Sequence, residues 1–498
     1  MNAIAQRRLH LQAGALGLTA AAFAASVTAV SYRGLAAPGY AFAGTGLLAF
    51  AVLAVLVYAQ PLVTLTLALV FMTSPMSLVL SLQWSALVSA FLLTGACLGF
   101  AWRTPLRAMV PDPLFLPIAI FTAFGLLSAV YGLFLGNEVG YLLGDCFQII
   151  EFAAVYFLAA QLLNDAKKII QFLRVLLVSM MITVFVELTL FALGPSAGNL
   201  LPSWDGSYIS GTLVRTIDID ATILFAVLIN LYPVAVSRRQ RLWIGLALIP
   251  TVANIALSLS RGLWLCTLVA TIVSFMLAVR KARKSLLTTL AFVAVCLAMI
   301  AGTWTISSGS QQDADVSLLN VFEERVYYGA DQVSAGLEGE EGMATRRFLE
   351  MAIVGPEILA KPWIGYGLGA TYVIGGFAVL DSGTNALMDN HFIHNLYLVT
   401  AFRMGMIGVA LLLWVLFRYL RKVLRSFKSM PPGIPKALVA GFVAGIVGQL
   451  FLSITQPTII DHPTCALIAC AMALSFRLIS LNSTGYSQLS GVNAARAE

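Results

Sequence analysis

Long apolar runs separated by short polar links repeat along almost the whole chain, from residue 11 to residue 481. Runs of about 18 residues or more are long enough to cross a ~30 Å hydrocarbon core as helices. Nothing alternates with the two-residue period of a half-buried strand, and lipid offers no water to an open backbone. Helices are therefore the predicted element. The runs place fourteen spans, at 11–31, 40–58, 61–81, 84–101, 114–135, 140–162, 168–193, 216–236, 242–258, 262–279, 286–306, 394–417, 437–456 and 462–481. The second to fourth have the least defined limits, because only Gln60-Pro61 and Gln83 separate them.

One polar stretch, 307–393, interrupts the pattern. It holds twelve of the 23 acidic residues but only four of the 30 lysines and arginines. The chain thus divides into about eleven N-terminal transmembrane helices (1–306), a large loop (307–393), about three C-terminal transmembrane helices (394–481) and a disordered tail (482–498). The expected fold class is an all-α polytopic membrane protein of about 12–14 transmembrane helices, with one large extracytoplasmic loop containing short helices.

Composition agrees. The chain is 59% hydrophobic and only 11% charged, with a mean hydropathy of +0.89, whereas soluble domains carry about 25% charged residues. The run after Arg7-Arg8 mimics a signal peptide, but its length and the spans that follow make it the first transmembrane helix. The six cysteines (97, 146, 266, 296, 465 and 470) all fall in apolar runs without metal-ligand neighbours, so they read as buried free thiols.

Charge sets the orientation. Threading the spans from a cytoplasmic N-terminus puts 22 of the 30 lysines and arginines in cytoplasmic segments, as the positive-inside rule requires. Both termini are then cytoplasmic, the long loop lies outside, and the net charge of +7 is a topology signal. No aromatic–basic interleaving points to nucleic acid.

Seven of the eight basic residues on the outside are arginine. Arginine presents a fixed fork of donors that matches phosphate oxygens. Taken singly, each is explained by snorkelling to headgroups or by pairing with loop carboxylates. As a set, Arg215, Arg261, Arg346, Arg347 and Arg403 suggest a phosphate or pyrophosphate site at the outer headgroup level. Arg346 and Arg347 open a loop helix capped by Thr345. Its amphipathic set (Phe348, Leu349, Met351, Ala352, Ile353) is suited to lying on the membrane surface until Pro356 breaks or restarts it.

Where the loop re-enters the membrane, His391 and His394 stand beside Asp389 and Asn395. Histidine can remove a hydroxyl proton near neutral pH. A metal needs three or four ligands, and these residues have no recognised ligand spacing. Asp218 and Asp220 form a D-x-D beside Arg215, suited to salt bridges with it or to substrate hydroxyls rather than to a metal. Gly365-Tyr-Gly-Leu-Gly369 lacks the strand–helix context of a nucleotide loop and reads as a turn. Asp145, Glu151 and Glu187 lie inside spans, where acids are costly and usually functional or paired.

Four stretches, in order, resemble the O-antigen ligase and O-antigen polymerase family. They are Ser260-Arg261-Gly262, Arg346/Arg347 through Leu349, Pro362-Trp-Ile-Gly-Tyr-Gly-Leu-Gly369, and His394-Asn395-Leu-Tyr-Leu followed by Gly405-Met-Ile-Gly408. Arg403 stands where many relatives carry an acid, and Asp218-Ile-Asp220 where many carry a proline–asparagine pair. The resemblance implies a metal-independent, cofactor-free, inverting glycosyl transfer at the outer face of the plasma membrane. It implies an undecaprenyl-pyrophosphate-linked glycan donor, with a second glycan or lipid A core as acceptor.

In that reading His394, Arg346 and Arg215 are catalytic, and Arg215, Arg261, Arg346, Arg347 and Arg403 bind pyrophosphate. His391, Asn395, Asp218 and Asp220 bind substrate. Membrane lipids, a chain-length regulator and a flippase are the expected partners. Polymerisation of exopolysaccharide or O-antigen repeat units is the leading expectation, ligation the next, and a polysaccharide transporter or flippase a third. A transporter predicts an internal repeat, which the sequence does not display.

Overall fold

The computed structural model of the chain describes residues 60–73, 82–104, 112–193, 207–209, 213–215, 220–258, 260–278, 283–284, 287, 343–374, 388–457 and 464–483. Its helices are α1 (Pro61–Thr73), α2 (Leu82–Arg103), α3 (Phe115–Phe134), α4 (Val139–Leu162), α5 (Ala166–Leu193), α6 (Ala221–Leu231), α7 (Arg238–Leu257), α8 (Arg261–Leu277), α9 (Met343–Ala360), α10 (Leu396–Ser429), α11 (Ile434–Leu452) and α12 (Thr464–Ser483). All but α9 coincide with predicted spans. Seven are long and apolar enough to cross a membrane, and α1, α2, α6 and α8 contribute shorter apolar helices. The protein is a helical, multi-pass membrane protein. The predicted spans 11–31, 40–58 and 286–306, the acidic half of the loop and the 482–498 tail lie wholly or largely outside the described residues.

Two hairpins of three-residue strands lie in the links between the helices. β1 (Ser207–Ile209) pairs with β2 (Leu213–Arg215), and β3 (Tyr372–Ile374) with β4 (Met388–Asn390), both antiparallel. Three residues are too few for an alternating pattern to be read.

Of the seven long helices, α11 and α12 are the most enclosed. Association between helices in lipid relies on close packing, which small residues permit. On α11, Gly441 faces α6 so closely that a Cβ there would stand 2.6 Å from the Val227 Cα. Gly445 and Gly448 continue the stripe toward Ile223 of α6 and Cys266 of α8. α12 packs on α4, and α10 on α3. The five described cysteines are free thiols, with Cys266, Cys465 and Cys470 fully buried.

Polar contacts sort the helix ends into two groups. Tyr156, late in α4, donates to Asp112 before α3 at 2.6 Å, and Tyr419 of α10 meets Ser475 of α12 at 3.1 Å. At the opposite ends, Leu396 N–H donates to the Ser453 carbonyl at 2.9 Å, and Asn137 in the α3–α4 turn reaches the loop before β3. The grouping is the one that alternating spans require.

The loop helix differs from expectation. α9 runs through Pro356 without stopping, losing only the hydrogen bond that proline cannot donate. Its Val354 is fully buried in a small core with Tyr372, Ile393, Val399 and Phe402. It therefore docks on the loop and on α10; of the set predicted to meet lipid, Met351 and Ala352 are exposed, whereas Ile353 packs against that core.

Candidate functional site

The site is built around a break in α10. Gly405 adopts φ 65° and ψ −174° in mid-helix, a conformation that strains residues with a Cβ. A Cβ there would also lie 2.2 Å from the Trp363 carbonyl. The break frees two carbonyls before it and two N–H groups after it. Such groups cost several kcal/mol each if left bare in lipid, on the order of a lost buried hydrogen bond or more.

The turn at 362–369 supplies the missing partners. Tyr366 N–H donates to the Phe402 carbonyl at 2.8 Å, and Gly367 N–H to that of Arg403 at 2.9 Å. In return Met406 N–H donates to Pro362 at 2.7 Å and Ile407 N–H to Trp363 at 3.3 Å. The Ser128 hydroxyl of α3 adds a bond to the Arg403 carbonyl at 3.1 Å. The Asn137 amide holds the other side of the turn, donating to the Tyr366 and Leu368 carbonyls at 2.9 Å each. The glycine-rich motif is thus the hydrogen-bonding complement of a broken helix.

Beside the break, one carboxylate gathers three segments. Asp145 of α4 accepts from Gly369 N–H at 2.8 Å through Oδ2 and from Arg403 Nη1 at 2.7 Å through Oδ1. His391 Nε2 lies 3.3 Å from the same Oδ1. Arg403 Nη2 donates to the His391 carbonyl at 2.6 Å, and the His391 ring stacks on Tyr141 at 4.1 Å between centroids. Arg403, expected at the cavity mouth as a pyrophosphate ligand, is instead buried in an ion pair. The apolar surroundings explain this: a buried guanidinium needs an opposite charge and filled hydrogen bonds. The His391 ring, expected to touch substrate, is clamped in the same assembly.

His394 faces another way. Its Nδ1 lies 2.6 Å from Glu350 Oε1, and its backbone N–H donates to Glu350 Oε2 at 3.2 Å. Glu350 is buried, while 38% of the His394 side chain stays exposed. The Glu350 carboxylate, together with burial, also pushes the Tyr372 hydroxyl well above the usual phenol range, with burial the larger cause. Sequence reasoning passed over Glu350. The available signal was its place four residues after Arg346, one helical turn along α9.

Asn395, expected to bind substrate, caps α10: its Oδ1 accepts from Tyr397 N–H at 2.9 Å and Leu398 N–H at 3.1 Å. That oxygen is occupied, because a helix start leaves N–H groups needing acceptors.

Of the remaining predicted residues, Arg261 is exposed at the first position of α8. Its neighbour Gly262 abuts Leu452 and Thr455 at the end of α11, the same end whose Ser453 carbonyl holds the start of α10. The Ser-Arg-Gly and His-Asn motifs therefore converge there. Arg346 and Arg347 lie near the start of α9, and Arg215 ends β2, beside α5. Asp220 is buried just ahead of α6, and Asp218 lies outside the described residues. The intramembrane acids have partners: Glu151 accepts from the Cys465 thiol at 3.1 Å and Glu187 from the Asn254 amide at 2.8 Å. Among the described residues no group of three His, Cys, Asp or Glu side chains is placed to hold a metal ion.

Fold and site together define a multi-pass membrane protein whose long loop and re-entering helix form one polar assembly. Residues 245–413 match the family model of the O-antigen ligases. The match takes in all four motif stretches, so the family resemblance stands, and it supports glycosyltransferase chemistry of the O-antigen ligase and polymerase type. No curated protein matches the chain.

Proposed function

We propose that the protein is an inverting, metal-independent glycosyltransferase of the plasma membrane. It would act at the outer face on undecaprenyl-pyrophosphate-linked glycans and join exopolysaccharide or O-antigen repeat units. The observation that carries this reading is His394: a partly exposed imidazole, paired at Nδ1 with buried Glu350, where the matched motifs meet.

The chemistry follows from the groups at hand. His394 Nε2 takes the proton of the acceptor hydroxyl, and the oxygen attacks the anomeric carbon from the side opposite the carrier. The bond from that carbon to the pyrophosphate breaks, and its electron pair leaves with the phosphate. Arg346, Arg347, Arg215 and Arg261 stabilise the growing negative charge. The carrier pyrophosphate already activates the anomeric carbon, so no nucleotide is required outside the cell. The orientation rests on the 22 of 30 basic residues placed inside by the threading. The glycan acceptor, a chain-length regulator and a flippase would be its partners.

A second reading is a ligase that transfers the glycan to lipid A core, and the description of the matched family favours it. Purified protein incubated with undecaprenyl-pyrophosphate-linked repeat units, with and without lipid A core, separates the two. A ladder without core is expected for the polymerase, and core-dependent product for the ligase. Absence of carrier pyrophosphate release under both conditions overturns both readings.

A further inference from the structure

We infer that Glu350 is the positioning residue for His394: it fixes the imidazole with Nδ1 protonated and Nε2 free to face the acceptor. The inference rests on the proposed role of His394 and names the group through which that role is exerted.

Three observations carry it. Both carboxylate oxygens are used on the same residue, Oε1 on the ring Nδ1 at 2.6 Å and Oε2 on the backbone N–H at 3.2 Å. This two-point hold fixes the ring and the chain that bears it. Second, Glu350 is buried whereas the His394 ring reaches the surface, so the carboxylate stands behind the ring, away from solvent. Third, the Phe392 ring packs perpendicular to the imidazole at 4.8 Å between centroids, closing a second side. The ring is left with one polar edge, Nε2.

A carboxylate on Nδ1 also bears on energetics. When Nε2 takes the acceptor proton, the imidazolium forms beside an anion already in place. No reorganisation is needed at that moment. After the transfer the new glycosidic bond holds the acceptor oxygen, the carrier pyrophosphate has left with the electron pair, and the proton rests on His394 until water removes it. α9 thereby has two duties. Glu350 orients the base, and Arg346, one helical turn earlier in the chain, is the residue proposed above to stabilise the leaving group.

The test uses full-length protein in detergent, with an undecaprenyl-pyrophosphate-linked repeat unit as donor and release of carrier pyrophosphate as readout. Glu350→Gln is nearly isosteric but has one acceptor oxygen, so it cannot accept from both the ring Nδ1–H and the backbone N–H, and its NH2 favours the tautomer with the proton on Nε2. Glu350→Gln is expected to lower kcat by about 100-fold or more, with donor KM within about threefold. Glu350→Asp, which keeps the charge at shorter reach, is expected to recover part of kcat. In a His394→Ala background Glu350→Gln is expected to cause no further loss.

Near-normal kcat in Glu350→Gln, with His394→Ala inactive, overturns the positioning role alone. A raised donor KM at unchanged kcat also overturns it, since Glu350 would then serve the donor or Arg346. Normal turnover in His394→Ala overturns the underlying reading, whatever Glu350→Gln does. If Glu350→Gln does not fold, Glu350→Asp decides: kcat equal to wild type, or a loss confined to KM, refutes the role.

Discussion

Arg403 and Asp145 are 258 residues apart in sequence, yet their side chains meet at 2.7 Å. The contact joins the last turn before the α10 break to the first turns of α4. Because Asp145 also accepts from Gly369, it fastens the glycine-rich turn to both helices.

Removing either partner of this pair should therefore be worse than removing both. Truncating one member of a buried ion pair typically costs about 3–5 kcal/mol, whereas replacing both with apolar groups is often near neutral. Asp145→Leu and Arg403→Met are each expected to lower the thermal unfolding midpoint in detergent, and the double variant to recover much of the loss. Additive losses in the double variant would contradict a direct pairing.

Two glycines with positive φ give a contrast. At Gly136 (φ 81°) a Cβ meets nothing within 4 Å, so Gly136→Ala is expected to cost only about 1–2 kcal/mol of backbone strain. At Gly405 the same substitution drives a methyl to 2.2 Å from the Trp363 carbonyl. Gly405→Ala is expected to sharply reduce the yield of monodisperse protein, whereas Gly136→Ala is expected to purify normally. Size-exclusion profiles of the two compare them directly.

Asn137 holds the turn through one amide nitrogen and two carbonyls. Asn137→Asp replaces that donor with a carboxylate facing carbonyl oxygens, while Asn137→Ala only removes it. Loss of a buried hydrogen bond that leaves partners unsatisfied costs about 1–3 kcal/mol. The expected order of stability is Asn137, then Ala, then Asp. Protease cleavage within 361–371 should accelerate in the same order, as mass spectrometry of the fragments would report.

In the transferase reading, His394→Ala and Arg346→Ala are each expected to cut turnover by about 100-fold or more while leaving folded protein. General-base catalysis contributes about 100- to 10,000-fold, so residual activity of His394→Ala should fall in that range below wild type. Arg346→Lys keeps the charge but loses the planar fork, and an intermediate rate is expected. Wild-type rates of carrier pyrophosphate release in both alanine variants would remove these assignments.

The spans were legible because lipid imposes a single rule on long stretches: apolar side chains and a backbone that satisfies itself. Eleven helices followed from that rule alone. The site was legible only in part. His394 and the glycine-rich motif stood out by residue type, but their partners are set by tertiary packing. Asp145 is one intramembrane acid among three in sequence, and only the fold shows that it belongs to Arg403. Glu350 is one of twelve acids in the 307–393 loop, and its partner His394 lies 44 residues further along the chain. The hairpins were invisible because each strand is three residues long. Pro356 misled because a helix packed on one face can survive one missing bond.

The interlock between the 362–369 turn and the break at Gly405 also constrains how the molecule is made. The turn precedes α10 in the chain, so both partners of the interlock lie in one continuous segment, 362–407. An α10 inserted the wrong way round would present four bare backbone groups to lipid with no partner on that side. Docking of the turn satisfies all four groups at once, so the break makes the fold of the loop and the placement of α10 a single requirement.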